Sequence, residues 1–344
     1  MDTKVTLSSL SIKATVGGMS DIESFDPEKT VYKADVQGDI DKISLMPVAD
    51  KNCSVTINSN EVAIGEEYLC DLAAGENKFD IVVTKAEYSK DYTVYITKEN
   101  IQPVIDKFQR TKFADPKTGV TLNYNLFVPD DYDGSKSYPL VLFLHGAGER
   151  GDDSLSILTA NQGATVWAKE TEQAKRPCIV LAPQCPAERG WTSLMLTRDD
   201  PFRPLDELET VYDLIHIITR KYNIDKKRLY CTGLSMGGFG SWALNIKYPD
   251  LFAAVAPICS YGDTKEVKKI AKKPIWVMTA EEDPLVNVQL VRDTVDALKA
   301  AGGNPIYTEF PAGTYFYPMA HFSWVPAYAN EKFREWLFSQ KLSD

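Results

Sequence analysis

Histidine is scarce in this chain: among 344 residues there are three, His145, His216 and His321. Cysteine is also sparse, with six, at 53, 70, 178, 185, 231 and 259, and none forms a CxxC pair. Together these shortages leave no basis for a zinc site. No run approaches about 18 consecutive apolar residues, so a membrane-spanning helix is excluded. The opening Met1-Asp2-Thr3-Lys4 lacks a charged region followed by an apolar core. No signal peptide is visible, so the chain is expected either to stay in the cytoplasm or to have lost a leader already. Positive charge is in deficit: 38 Lys and Arg against 48 Asp and Glu give a net charge of -10. Such a surface repels phosphate backbones and argues against a nucleic-acid partner. With 44% hydrophobic and 25% charged residues, the remainder is ordinary globular composition. The length fits two domains, at roughly 100–200 residues each.

The acidity is concentrated. Residues 1–99 hold 10 Lys and Arg against 18 Asp and Glu, a net of -8, whereas residues 100–344 hold 28 against 30. The first part reads as strands throughout. Val31-Tyr32-Lys33-Ala34-Asp35-Val36 alternates apolar and polar, the mark of a half-buried strand. Strands are also expected at 5–7, 10–12, 43–48, 54–57, 79–84 and 92–96. Turn residues separate them: Gly17-Gly18, Asp26-Pro27, Gly38-Asp39, Gly65 and Gly75-Glu76-Asn77. Seven short strands at this spacing predict an all-β, immunoglobulin-like sandwich of about 100 residues. Cys53 and Cys70, its two cysteines, are read either as a disulfide in an exported chain or as two buried thiols. The stretch DLAAGENKFDIVVTKAEYSKDYTVYITK, Asp71 to Lys98, with FDPEKTVYKADV, Phe25 to Val36, resembles the cadherin-like bacterial β-sandwich repeat. That resemblance implies a module rather than an enzyme.

Residues 100–108 are expected to be a linker, and the texture changes after it. Apolar strands, Leu140–Leu144, Cys178–Pro183, Leu229–Thr232, Ala253–Ile258 and Ile275–Met278, alternate with helical stretches. In residues 205–221, Leu205, Leu208, Val211, Tyr212, Ile215 and Ile218 recur at near-helical spacing. Further helices are expected over 236–248 and 290–301, the latter ended by Gly302-Gly303. The pattern predicts an α/β domain over 109–344 with a mostly parallel, buried sheet.

Gly233-Leu234-Ser235-Met236-Gly237 fits G-x-S-x-G, with an apolar strand before it and a helix after it. Small residues at 233 and 237 permit the sharp turn that exposes a serine hydroxyl and aims the next amide, that of Met236, at a developing oxyanion. A bare glycine-rich turn with a capping serine is the competing reading. A serine nucleophile needs a base. In the chain order Ser, acid, His the base comes last, which selects His321 in Ala320-His321-Phe322-Ser323-Trp324. His216 lies in an apolar helix and His145 precedes the serine. The acid should follow a strand between them, and Asp283, before Pro284, is favoured over Glu281, Glu282 and Asp263.

His145-Gly146-Ala147-Gly148-Glu149-Arg150-Gly151 spells G-x-G-x-x-G after a strand, the dinucleotide fingerprint. The residues that follow are charged and turn-like, and their acids would repel a pyrophosphate, so no cofactor is expected. The loop reads instead as the second arm of an oxyanion hole, with the Ala147 amide favoured and Gly146 second.

LVLFLHGAGERGDD, GLSMGGFGSWALNIKYPDLFAAVAPICS, TAEEDPLVNV and AHFSW, in that order, resemble the α/β-hydrolase superfamily. The likeness is nearest to carboxylesterases of the esterase-D, feruloyl-esterase and polyhydroxybutyrate-depolymerase branch, over about residues 110–340. It implies a Ser235, His321, Asp283 triad and no metal or organic cofactor. Where relatives carry His-Gly before the acidic residue, this chain has Thr279-Ala280. The resemblance implies a serine esterase acting on small-molecule or glycan esters, with short acyl, acetyl or hydroxycinnamoyl groups, secreted or at the cell surface. A prolyl-oligopeptidase-like peptidase and a catalytically dead carbohydrate-binding protein are the alternatives. The first normally carries a propeller far longer than 99 residues, and the ordered triad argues against the second. Trp191, Trp324, Tyr261 and Tyr315-Phe316-Tyr317 are candidates for holding a sugar or aryl face, with loop packing as the competing reading.

Overall fold

The computed structural model describes residues 5–195 and 202–343; Met1 to Lys4, read above for a leader, lie outside them. The chain divides into two compact units, Met1–Ile101 with Tyr315–Tyr317, and Gln102–Thr314 with Pro318–Asp344.

Among the described residues the first unit holds eight strands: β1 (Leu7–Lys13), β2 (Val31–Val36), β3 (Lys42–Ala49), β4 (Ser54–Ile57), β5 (Asn60–Val62), β6 (Tyr68–Asp71), β7 (Gly75–Lys85) and β8 (Tyr88–Lys98). They form a three-stranded sheet, β1-β3-β6, and a five-stranded sheet, β2-β8-β7-β4-β5. Alternation does the sorting: Tyr32, Ala34 and Val36 of β2 are buried while Val31, Lys33 and Asp35 face solvent. Leu7, Ile43 and Leu45 from one sheet, and Ile57, Ile81, Val83, Val94 and Ile96 from the other, supply the core. Tyr92 ties strand β8 to β1, its hydroxyl accepting from the Leu7 amide at 3.2 Å. The expected strands at 5–7 and 10–12 are a single strand, β1, with a bulge between Leu7 and Ser9. Two strands not expected, β5 and β6, are three and four residues long. Strand β5 follows a two-residue hairpin turn, Asn58-Ser59, both at positive φ, of 48° and 66°. Cys53 and Cys70 are both free thiols.

The second unit carries strands β9 (Gln109–Ala114), β10 (Thr121–Phe127), β11 (Tyr138–Leu144), β12 (Ile179–Gln184), β13 (Ile224–Leu234), β14 (Ala254–Ile258), β15 (Trp276–Ala280) and β16 (Ile306–Phe310). Its helices are α1 (Gln102–Ile105), α2 (Ser156–Thr159), α3 (Glu170–Lys175), α4 (Asp206–Lys221), α5 (Met236–Lys247), α6 (Val288–Ala300), α7 (Trp324–Ala329) and α8 (Glu331–Ser339). The strands form one sheet of order β16-β15-β14-β13-β11-β12-β10-β9. From β16 to β12 it is parallel, and β10 and β9 complete it antiparallel. Every residue of β11 is buried, as a strand covered on both faces requires. Helix α4 buries Leu208, Val211, Leu214, Ile215 and Ile218. Tyr212, expected on that face, is half-buried and stacks on Tyr248 with ring centroids 3.7 Å apart. Acids in the first turn of α4 and Arg220 and Lys221 in its last suit the helix dipole. The expected linker is ordered structure from residue 102 on: Ile105 and Phe108 are buried, and the Phe108 ring lies 5.7 Å from that of Phe127. Among the described residues no helix is long and apolar enough to cross a membrane.

Candidate active site

Strand β13 ends at Leu234, Ser235 makes the turn, and α5 starts at Met236. Ser235 has φ 51° and ψ -119°, a sparsely populated conformation for a residue with a side chain. Such a residue costs on the order of 1–3 kcal/mol and persists only where its surroundings enforce it. Here the Ser235 amide donates to the Ile258 carbonyl at 3.0 Å and lies 3.2 Å from Cys259 Sγ. Glycine is obligatory just beyond: a Cβ on Gly237 would sit 1.8 Å from the Leu144 carbonyl oxygen. The turn is therefore pressed against the end of β11.

Asp283 follows β15, and its carboxylate is fully shielded from solvent. Oδ1 accepts from the amides of Leu285 and Val286, each at 2.9 Å. Oδ2 accepts from Nδ1–H of His321 at 2.7 Å. The opposite nitrogen, Nε2, accepts from the Ser235 hydroxyl at 2.9 Å. One tautomer satisfies both contacts, and the carboxylate selects it. His321 sits in a 310 turn, Ala320–Phe322, and is 5% exposed, whereas Ser235 is half-buried with its hydroxyl beside the imidazole. Ser235, His321 and Asp283, selected from the G-x-S-x-G turn, the chain order and the position after a strand, are thus linked in series by hydrogen bonds.

The competitors have other partners. Glu281 and Glu282 accept from the amides of Ala312 and Gly313 at 3.0 and 2.9 Å. Asp263 accepts from the Lys265 amide. His216 packs edge-on to Tyr212. His145 is fully buried at the end of β11.

After β11, Ala147–Glu149 is a 310 turn, not the helix of a dinucleotide fold. The Ala147 amide opens this turn, where the first N–H groups have no partner within the helix. The Ala147 carbonyl accepts from Arg150 Nε at 2.9 Å, and Arg150 also donates to the Arg189 carbonyl. The acids expected to crowd this loop are not all on the surface. Asp152 and Asp153 are exposed, but Glu149 is buried.

Trp191 requires correction as a substrate contact. It is fully buried, and its indole N–H donates to the His145 carbonyl at 3.1 Å, so no ring face is open to a sugar. Trp324 is 7% exposed and stands edge-on to the His321 ring, with centroids 5.4 Å apart. It backs the imidazole. Tyr261 is half-buried and meets Phe239 and Phe202 edge-on. Residues 315–317 group with the first unit, where the Tyr317 amide donates to Thr15 Oγ1 at 2.9 Å. Cys259, at φ 42° behind the Ser235 turn, was not anticipated, and no local motif marks it.

Residues 7–99 match the family model of the cadherin-like beta sandwich domain. Residues 116–301 match the family model described as "Putative esterase". A solved structure described as a thermostable esterase is 34% identical with a TM-score of 0.69, and the match covers 91% of this chain and 99% of that one. A bifunctional acetylxylan esterase/xylanase of Neocallimastix patriciarum is 30% identical over 157 residues, 44% of this chain. That match spans 20% of the relative's own length. A feruloyl esterase module from Clostridium thermocellum, solved with sinapinate, aligns more distantly, at 17% identity and a TM-score of 0.47 over 66% of this chain and 88% of that one. The chain belongs to the esterase family: it is a carboxylic ester hydrolase of the α/β-hydrolase fold, preceded by a cadherin-like β-sandwich domain.

Proposed function

We propose that this esterase works through an acyl-enzyme on Ser235. The hydroxyl oxygen attacks the ester carbonyl while its proton passes to Nε2 of His321. Asp283 holds the ring in the required tautomer and stabilises the imidazolium that forms. The amides of Met236 and Ala147 donate to the oxyanion, each such donor being worth about 3–4 kcal/mol at the transition state. The C–O bond then breaks, and Nε2 returns the proton to the departing alcohol. Water repeats the sequence on the acyl-enzyme and releases the acid. The observation that carries this reading is the continuous pair of contacts, 2.9 Å from Ser235 to His321 and 2.7 Å from His321 to Asp283.

For substrate, the reading is a short acyl, acetyl or hydroxycinnamoyl ester, on a plant-wall glycan or a small molecule. Similarity to the acetylxylan esterase/xylanase supports it. A plant-wall glycan ester is met outside the cell, so the reading extends to a secreted or cell-surface enzyme. A fluorophosphonate probe should label wild-type protein and not Ser235→Ala. Acetyl, feruloyl and decanoyl esters, assayed beside matched amides, then test the substrate. Faster cleavage of acetyl or feruloyl esters is expected. A preference for acyl chains of about ten carbons, where each buried methylene adds roughly 0.8 kcal/mol, would overturn the glycan-ester reading. Faster amide cleavage would replace it with a peptidase.

A further inference from the structure

Glu149 is 7% exposed, and burying a carboxyl without partners is costly. It has partners, and all of them bear on the loop that follows β11. Oε1 accepts from the side-chain amide of Asn161 at 2.6 Å. Asn161 is fully buried, and its orientation is fixed because its own Oδ1 accepts from the Gly163 amide at 2.8 Å. The backbone amides of Gly146 and of Glu149 itself favour the ionised form of the same carboxylate. Oε2 lies so close that a Cβ placed on Gly146 would be 3.1 Å away. On the backbone side, the Glu149 carbonyl accepts from Gln184 Nε2 at 3.0 Å and Ser156 Oγ at 3.2 Å.

These contacts distinguish the two amides that the sequence leaves in competition. Gly146 lies against Oε2 of the carboxylate, and its N–H favours the charged form of that group. The Ala147 N–H begins the 310 turn; the carbonyl of its own peptide, that of Gly146, is met by Nδ1 of His145 at 2.6 Å, and the Ala147 carbonyl one peptide on accepts from Arg150. Burial pushes the Glu149 carboxyl above its usual range, while the amide donors pull it back toward the ionised form that can accept from them.

We propose that Glu149 is a positioning residue for ester hydrolysis: from beneath the loop it holds the Gly146 amide and, with Asn161, sets the peptide that presents the Ala147 N–H to the oxyanion. This rests on the acyl-enzyme reading above. A misplacement of about 1 Å at such a donor costs on the order of 100-fold in rate.

The test compares wild type, Glu149→Gln and Asn161→Ala on p-nitrophenyl acetate. Concentrations are normalised by fluorophosphonate titration, so only molecules with a reactive Ser235 are counted. The second readout is the Ki of an alkyl trifluoromethyl ketone, whose serine adduct carries the oxyanion. For Glu149→Gln, kcat should fall at least tenfold, KM should stay within about twofold, and Ki should rise by the factor lost in kcat/KM. Asn161→Ala should move the same quantities in the same direction, less far. Unchanged kcat and Ki in the titrated fraction of either variant overturn the proposal, as does a kcat loss with Ki unchanged. Failure of wild type itself to take the fluorophosphonate would instead remove the acyl-enzyme reading.

Discussion

The amide of Cys185, just past β12, donates to Nε2 of His145, just past β11, at 2.9 Å. Nδ1–H of the same ring donates to the Gly146 carbonyl at 2.6 Å, so both nitrogens are committed and the imidazole is held neutral. Burial lowers its pKa from 6.5 to about 4.

That shift has a sign. Between pH 6.5 and about 4 the unfolded chain binds a proton at this residue and the folded chain does not. Stability is therefore lost as pH falls through this window, at up to about 1.4 kcal/mol per pH unit from this group alone. Glu149, whose Oε2 is 4.0 Å from Nδ1, works in the opposite direction because its carboxyl is raised. Arg150 and Asp153 also act on the ring, the first lowering and the second raising its affinity for the proton. Urea midpoints measured from pH 7 to 4.5 should drop more steeply for wild type than for His145→Gln. Parallel lines for the two proteins would contradict the assignment.

Ser235→Ala should reduce ester hydrolysis by at least about 1,000-fold, the scale on which loss of a triad member is felt. Its melting temperature should not fall, because the hydroxyl contributes only the contact to His321. Residual activity above that scale after removal of contaminating wild type would mean the nucleophile lies elsewhere.

Asp283→Asn should leave the turn after β15 in place, since the side-chain oxygen can still accept from Leu285 and Val286. The amide would face Nδ1 with N–H and reverse the ring's tautomer. A kcat loss on the order of 10,000-fold is expected. A loss under about tenfold would show that the carboxylate does not orient the base.

Gly237→Ala should fail to give folded protein, or lose more than about 3 kcal/mol, because a backbone oxygen lies where the methyl would go. Chemical denaturation reads this directly, and a wild-type midpoint would refute the close approach.

The three side chains that meet in the candidate site were legible because their signals are written locally. Glycines flank Ser235, Pro284 follows Asp283, and chain order leaves His321 as the base. Strands β9 and β16 were not legible for the opposite reason. Both lie at sheet edges, and β9 is exposed at nearly every position, so neither carries the apolar run that marks a buried strand. Glu149 reads in the sequence only as one of the charged, turn-like residues after Gly148, because nothing in that run reveals Asn161, a dozen residues on, as its partner. Trp191 misled in the same way. An aromatic residue near a site is equally suited to face a ligand or to brace the backbone, and a contact 46 residues away in sequence decides it.

Leu144 pairs with Gly233 in the parallel ladder between β11 and β13. The proposed oxyanion loop leaves the first strand at His145, one residue after Leu144, and Ser235, the proposed nucleophile, stands two residues after Gly233. The distance between attacking oxygen and stabilising amides is thus measured out by neighbouring strands roughly 4.8 Å apart, and a slip of one residue would move one against the other by about 3.3 Å. Insertions within either strand are barred on that account. Loops that hold none of these contacts lie outside this metric, free to lengthen and change chemistry; the turn after β15, where Asp283 meets His321, is not among them. An ancestor with this sheet could exchange one ester for another by loop drift alone, its reaction centre passing intact from one substrate to the next.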